Sequence, residues 1–175
     1  MPAALISTAD AKTHLRVYHT QDDAYISTLV TRVVAEWEEI THYPLAPTDC
    51  VQVLDAAPSD GVIRHAWGGV DATAGGQVEY TDAAGTPQLV VVATDQYRTL
   101  QGWVELPLTD AQLAAWLYPI TYTYTAGTIA LPSAILTALL IRIGYLYAYR
   151  GDDPSPPDER AWLRLTARYR VGALL

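Results

Sequence analysis

The apolar residues of this chain keep a helical period at both ends and a strand period between them, and that switch constrains the fold more than any other feature. Ile26, Leu29, Val30, Val33, Trp37 and Ile40 are spaced so that a helix places them on one stripe. Ile135, Leu136, Leu139, Leu140, Ile143, Leu146 and Tyr147 repeat the pattern near the other end. Between them, Ile120, Tyr122 and Tyr124 alternate with Thr121, Thr123 and Thr125, as in a strand with one covered face. The fold class expected is α+β. Residues 1–44 and 129–175 would form a bundle of three to four helices, since neither amphipathic helix can bury its stripe alone. Residues 45–128 would form an inserted β-rich domain.

Local signals supply the boundaries. Ser7-Thr8-Ala9-Asp10 reads as a capped helix start, and Asp22-Asp23 suits the positive end of a second helix. Pro44 and Pro47 stop that helix. Short β-rich runs follow at 51–54, 62–67, 77–80, 88–93, 102–106 and 120–125, with Asp82-Ala83-Ala84-Gly85 as a hairpin turn. Leu89-Val90-Val91-Val92 lacks alternation and is expected to be covered on both faces. Thr109-Asp110 opens one or two helical turns, and Pro132 suits the start of the long apolar helix. The stretch Gly151–Pro157 is a loop by composition, and a last helix begins near Asp158-Glu159.

Charge narrows the function classes. The net charge is −8, which argues against a general nucleic-acid binder, because gripping phosphates needs a surplus of Lys and Arg. The charge is unevenly divided. Residues 45–128 hold nine acids against two bases, whereas 129–175 hold four acids against six bases. In the last helix Arg160, Arg164 and Arg168 follow at intervals of four and share one face. That stripe reads as a solvated face, as a dock for an acidic partner or as a contact for DNA phosphates.

Catalytic patterns are absent from the sequence. It has no GxSxG, Walker, HExxH or GxGxxG motif, and His14, His19, His42 and His65 lack metal-ligand spacing. Gly68-Gly69 and Gly75-Gly76 read as β turns or a mobile loop. Cys50 is the single cysteine, so no internal disulfide forms. Met1–Ala9 has no basic stretch followed by a long apolar one, so no secretory signal is expected. In 129–149 an arginine, Arg142, sits mid-helix, at a cost of roughly 3 kcal/mol in a bilayer centre. A buried bundle helix is therefore expected there, with no membrane span. No enzyme, metal or cofactor is expected.

Four segments, in order, resemble one known family. Leu5–Val17, with its core Ala11-Lys12-Thr13-His14-Leu15-Arg16-Val17, resembles the opening of phage head–tail connector (adaptor) proteins. Asp22-Asp23-Ala24-Tyr25-Ile26 with Leu29-Val30 is similar to that family's second helix. Tyr122-Thr123-Tyr124-Thr125-Ala126-Gly127 is similar to its strand. Leu131-Pro132, running to Tyr147-Ala148-Tyr149-Arg150-Gly151, resembles its long helix. The likeness spans about 40 residues at each end. It departs at Thr128, where the family carries an aromatic, and at Arg142, a charge in the core helix read as the mark of a subunit contact.

The resemblance implies a virion structural protein of the neck, at the head–tail interface, assembled in the host cytoplasm. It implies a homo-oligomeric ring of commonly about twelve copies beneath the portal protein. Such a ring extends the channel for double-stranded DNA without binding it specifically, and carries a head-completion (stopper) or tail protein. Arg160, Trp162, Arg164, Arg168 and Arg170, with a tail ending Leu174-Leu175, are expected as the portal-docking element. Glu36, Glu38 and Glu39 are the acids offered for the channel wall. The competing readings are another neck or tail-completion protein, and a ligand-binding β module using Trp67, Tyr80, Tyr97 and Trp103.

Overall fold

The computed structural model of the chain describes residues 6–100, 103–127, 131–149, 160–167 and 169–170. It is a mixed α+β fold that divides into two compact units, Met1–Ala46 with Ile129–Leu175, and Pro47–Thr128.

The first unit is helical: α1 (Thr8–Leu15), α2 (Asp23–Thr41), α4 (Ser133–Ala148) and α5 (Arg160–Ala167). α1 starts where a hydroxyl and an acid can cap each other. The Ser7 hydroxyl accepts from the Asp10 backbone N–H at 3.0 Å, and the Asp10 carboxylate accepts from the Ser7 N–H at 3.1 Å. These hydrogen bonds hold the Asp10 carboxyl below its usual range. α1 ends at Arg16, in the left-handed conformation with φ 57°. α2 buries Ile26, Leu29, Val30, Val33 and Trp37, the stripe read from the sequence, while Ile40 packs at the edge of the core. α4 buries Ile135, Ala138, Leu139 and Ile143 against them. Pro132 is the N-cap of α4 rather than a residue of its first turn. No helix among the described residues is long and apolar enough to cross a membrane.

The second unit carries two antiparallel sheets. Strands β1 (Thr48–Leu54), β3 (Gly76–Thr81), β4 (Pro87–Val92) and β7 (Leu117–Ala126) form one in the order β1-β7-β3-β4. Strands β2 (Val62–Arg64), β5 (Arg98–Leu100) and β6 (Trp103–Pro107) form the other in the order β2-β6-β5. Helix α3 (Asp110–Ala115) opens with a second reciprocal cap, between Thr109 and Gln112. Central β7 behaves as its alternation demands: Ile120, Tyr122, Tyr124 and Ala126 are buried, with the threonines on the other face. They pack with Cys50, Ile63, Val78, Val92, Leu106 and Trp116 into the second core.

The β3–β4 hairpin turns at the expected residues. Gly85 takes φ 79°, and the Asp82 carboxylate accepts from the backbone N–H of Ala84 and Thr86, both at 2.9 Å. β4 corrects the sequence reading, because it alternates. Leu89 and Val91 are 58% and 68% exposed, while Val92 is buried. An unbroken apolar run does not say whether a second layer exists to cover its far face. The run from Val62 also stops pairing at Arg64, and β5 was not read from the sequence at all.

Candidate interaction surfaces and buried polar groups

The structure splits the expected docking residues between surface and interior. On α5, Arg164 is exposed, flanked by the exposed apolar side chains of Leu163 and Leu165. Arg170 is exposed beyond it. Trp162 is not part of that surface: it is 6% exposed and lies in the helical core. Its ring meets Trp37 edge-on, with centroids 5.9 Å apart. Tyr169 packs on Trp37 and Tyr43 at 5.2 and 6.0 Å. The aromatic residues of the C-terminal element thus anchor it to α2, and the charges project outward. The side chain of Arg160, and all of Arg168, Leu174 and Leu175, lie outside the described residues.

Behind α5 sits Arg142, the charge that stood out in the long helix. It is 8% exposed and donates from Nε to Glu36 at 3.0 Å. Its guanidinium lies 5.3 Å from the Tyr145 ring centroid and 5.7 Å from that of Trp162. The other Glu36 oxygen accepts from Arg32 Nε at 2.9 Å. Arg142 is therefore paired within its own bundle, where the sequence reading made it a subunit contact. Glu36 is held by two arginines, and Glu38 accepts from the Leu45 backbone N–H at 3.0 Å. Glu39 is exposed on α2.

The β unit holds a chain of buried polar groups that sequence reasoning missed. His65 Nδ1 lies 2.8 Å from the Val104 carbonyl oxygen, and Nε2 lies 3.0 Å from the Tyr122 hydroxyl. A carbonyl can only accept, so Nδ1 carries the proton and Nε2 accepts from Tyr122. Tyr122 in turn lies 2.8 Å from the Tyr97 hydroxyl, which completes a directional chain Tyr97 to Tyr122 to His65 to Val104. Burial lowers the His65 pKa and raises those of Tyr97 and Tyr122, and it pushes Tyr124 up to about 12. A neutral imidazole and protonated phenols form a structural hydrogen-bond chain. Burial also raises the pKa of the Cys50 thiol.

Gly76 makes room for this chain, beside a second glycine that turns the backbone. Gly75 has φ 71°, and a Cβ on Gly76 would lie 2.5 Å from the Tyr97 hydroxyl and 3.0 Å from the Thr123 carbonyl oxygen. Among the aromatics considered for a ligand site, Tyr97 belongs to this network, and Tyr80 packs on Trp116 with centroids 5.8 Å apart. Trp67 packs against the β core, and the Trp103 side chain is outside the described residues. No cluster of three or more His, Cys, Asp or Glu able to hold a metal occurs among the described residues.

No protein-family model matches the sequence, and no curated protein matches it. Solved structures do match in fold. A chain in the neck of the empty gene transfer agent particle, computed with C6 symmetry, aligns over 100% of this chain and 94% of its own, with TM-score 0.70 and 19% identity. A chain of the native gene transfer agent virion aligns over the same shares with TM-score 0.71 and 19% identity. A chain in the native particle neck, computed with C12 symmetry, aligns over 96% and 90% with TM-score 0.66 and 19% identity. The present chain shares the fold of proteins found in the necks and virions of gene transfer agents.

Proposed function

We propose that this chain is a structural, non-enzymatic subunit of the neck of a tailed phage or phage-like particle: a head–tail connector that forms a ring under the portal. The observation that carries the reading is the agreement of fold along the whole chain, inserted β unit included, with chains from particle necks. Two features of the molecule support it. Its two most enclosed polar constellations, the Arg142–Glu36 pair and the Tyr97–Tyr122–His65 chain, tie elements of the fold together, as in a part that bears load through contacts. Two exposed arginines, Arg164 and Arg170, lie on a short element tied to the bundle by Trp162 and Tyr169.

In this reading the element from Arg160 to Leu175 docks on an acidic neighbour, and Arg164 and Arg170 supply exposed charge. Portal docking also draws on Arg168 and the tail. Trp162 acts from within by fixing α5. Glu36, Glu38 and Glu39 stand as the proposed channel acids, Glu39 being the most exposed. The predominantly acidic chain would let DNA slide past without holding it. A ring of about twelve copies carrying a stopper or tail protein follows from the connector role.

The test is electron microscopy with mass measurement on the protein alone and mixed with its cognate portal. Rings stacked coaxially on the portal are expected. A protein that stays monomeric and ignores the portal would overturn the reading.

A further inference from the structure

Arg64, His65, Ala66 and Trp67 lead out of β2, and each is held by a side chain of the four-stranded sheet. Gln52 of β1 donates from Nε2 to the Arg64 carbonyl at 3.1 Å and accepts at Oε1 from the Ala66 N–H at 3.2 Å. The Tyr124 hydroxyl of β7 accepts from the Trp67 N–H at 3.1 Å. His65 spans the same gap with its ring, Nδ1 on the Val104 carbonyl of β6 and Nε2 on the Tyr122 hydroxyl of β7. Residues 64–67 thus form a polar seam between the sheets β2-β6-β5 and β1-β7-β3-β4. Within that seam, His65 is the group that titrates near neutral pH.

The seam fits the neutral ring and opposes the charged one. With Nδ1 donating to a carbonyl, Nε2 must accept from Tyr122, which itself accepts from Tyr97. A second ring proton, on Nε2, would face the Tyr122 proton. Tyr122 would have to turn its proton toward Tyr97, and Tyr97 would have to turn its own away. Among the described residues, the surroundings of the ring do not favour a cation enough to drive that reversal. His65 is 8% exposed and meets the Tyr124 ring edge-on, with centroids 4.6 Å apart; the Tyr122 and Tyr97 rings lie at 5.6 and 6.0 Å. The carboxylate whose charge reaches the ring is Glu105 of β6. It is already taken up by Arg98 at 2.8 Å and by Arg64 at 4.0 Å, and Arg64 is paired in turn with Asp60 at 2.7 Å. Desolvation therefore outweighs the attraction of that carboxylate.

We propose that His65 is a proton-operated latch: a proton taken up at Nε2 opens the seam at residues 64–67 and loosens the three-stranded sheet from β7, while the four-stranded sheet and the helical unit stay folded. In the open form the imidazole is hydrated and holds its second proton; in the closed form it excludes it. The closed form is therefore favoured above the ordinary imidazole value and gives way as pH falls through it. Below about pH 6.5 the open fraction grows by up to about tenfold per pH unit, and it levels off where the closed ring itself takes up the proton. Such an opening is local, with its own free energy below that of unfolding the whole unit. The latch belongs to the β unit alone and stands or falls independently of the neck reading.

The experiment follows the full chain by NMR from about pH 8 down to about pH 5, the range over which an ordinary imidazole titrates. At the upper end the ring nitrogen shifts of His65 should show a proton on Nδ1 and none on Nε2. The amides of Ala66 and Trp67 report the seam directly, because their hydrogens are the ones given to Gln52 and Tyr124. Their protection, corrected for intrinsic exchange, should fall by up to about tenfold per pH unit below about pH 6.5. The amides of β3 and β7 should keep theirs. His65→Gln, whose amide can donate to Val104 and accept from Tyr122 without titrating, should hold Ala66 and Trp67 protected across the range. A proton on Nε2 at neutral pH, protonation of His65 with the seam amides still protected, or loss of protection there in step with β3 and β7 would each overturn the latch. So would the same pH dependence in His65→Gln; should that variant not fold, the native chain's tautomer and protection profile decide the matter by themselves.

Discussion

Arg142 on α4 and Glu36 on α2 meet at 3.0 Å inside the helical unit, although 106 residues separate them. A buried guanidinium needs a counter-charge, and Glu36 supplies it while also accepting from Arg32. Removing one partner of such a pair costs more than the pair is worth, because the other charge is left desolvated. Glu36→Gln is expected to destabilise the helical unit by about 2–3 kcal/mol, the range for breaking a buried pair reduced for the partial exposure of Glu36. Arg142→Met in the same background should recover most of that loss. Urea denaturation followed by far-ultraviolet circular dichroism reads both. An unchanged midpoint in Glu36→Gln would show that Arg142 does not depend on this carboxylate.

Trp162 and Arg170 separate the architecture of the C-terminal element from its docking. Trp162→Ala empties a site against Trp37 and should cost about 3–5 kcal/mol in the helical unit. Arg170→Glu alters an exposed side chain and should change stability by less than about 0.5 kcal/mol. Only the second should weaken portal co-sedimentation while leaving the melting curve in place, and the loss should shrink as salt is raised. A portal interaction indifferent to Arg170→Glu would remove this residue from the docking surface.

These residues also mark what the sequence could disclose. The α2 stripe, the β7 alternation and the Asp82–Gly85 turn were legible because each is decided by neighbours within a few positions. The burial of Trp162 was not, since an amphipathic eight-residue helix does not say which of its large residues meets a partner helix. The Arg142–Glu36 pair and the His65–Tyr122 contact join residues 106 and 57 positions apart, beyond the reach of any local pattern. Leu89 and Val91 failed for a related reason: a hydrophobic run reports its own preference, not the presence of a second layer.

His65 makes the β unit sensitive to acid. Its pKa is depressed in the folded state by burial, while the unfolded chain takes up a proton near the ordinary value of about 6.5. Below that value the unfolded state binds more protons, so stability falls as pH falls. The stability is fully present above about pH 6.5, and the slope below it approaches at most about 1.4 kcal/mol per pH unit for one proton. The loss levels off once pH falls below the folded-state pKa. Denaturation midpoints of the native protein and of His65→Gln across this range test the assignment. The two curves should converge on acidification, and parallel curves would place the acid sensitivity elsewhere.

Gly76 and Tyr97 should behave as one unit. A Cβ at position 76 would strike the Tyr97 hydroxyl at 2.5 Å and crowd the Thr123 carbonyl oxygen. Gly76→Ala therefore forces Tyr97 away from Tyr122 and breaks the first link of the chain that ends at His65, for an expected loss of about 1–3 kcal/mol. Tyr97→Phe alone removes one hydrogen bond and should cost about 1 kcal/mol. In the double variant the hydroxyl that alanine would strike is gone, so the combined cost should be smaller than the sum of the two. The crowding at Thr123 remains, so it should not vanish. A double-mutant cycle on thermal unfolding measures this coupling directly. Strict additivity would mean that the tight approach at Gly76 is governed by the Thr123 carbonyl and the Tyr122 ring, both 3.0 Å from the added Cβ, and that the Tyr97 hydroxyl adapts freely.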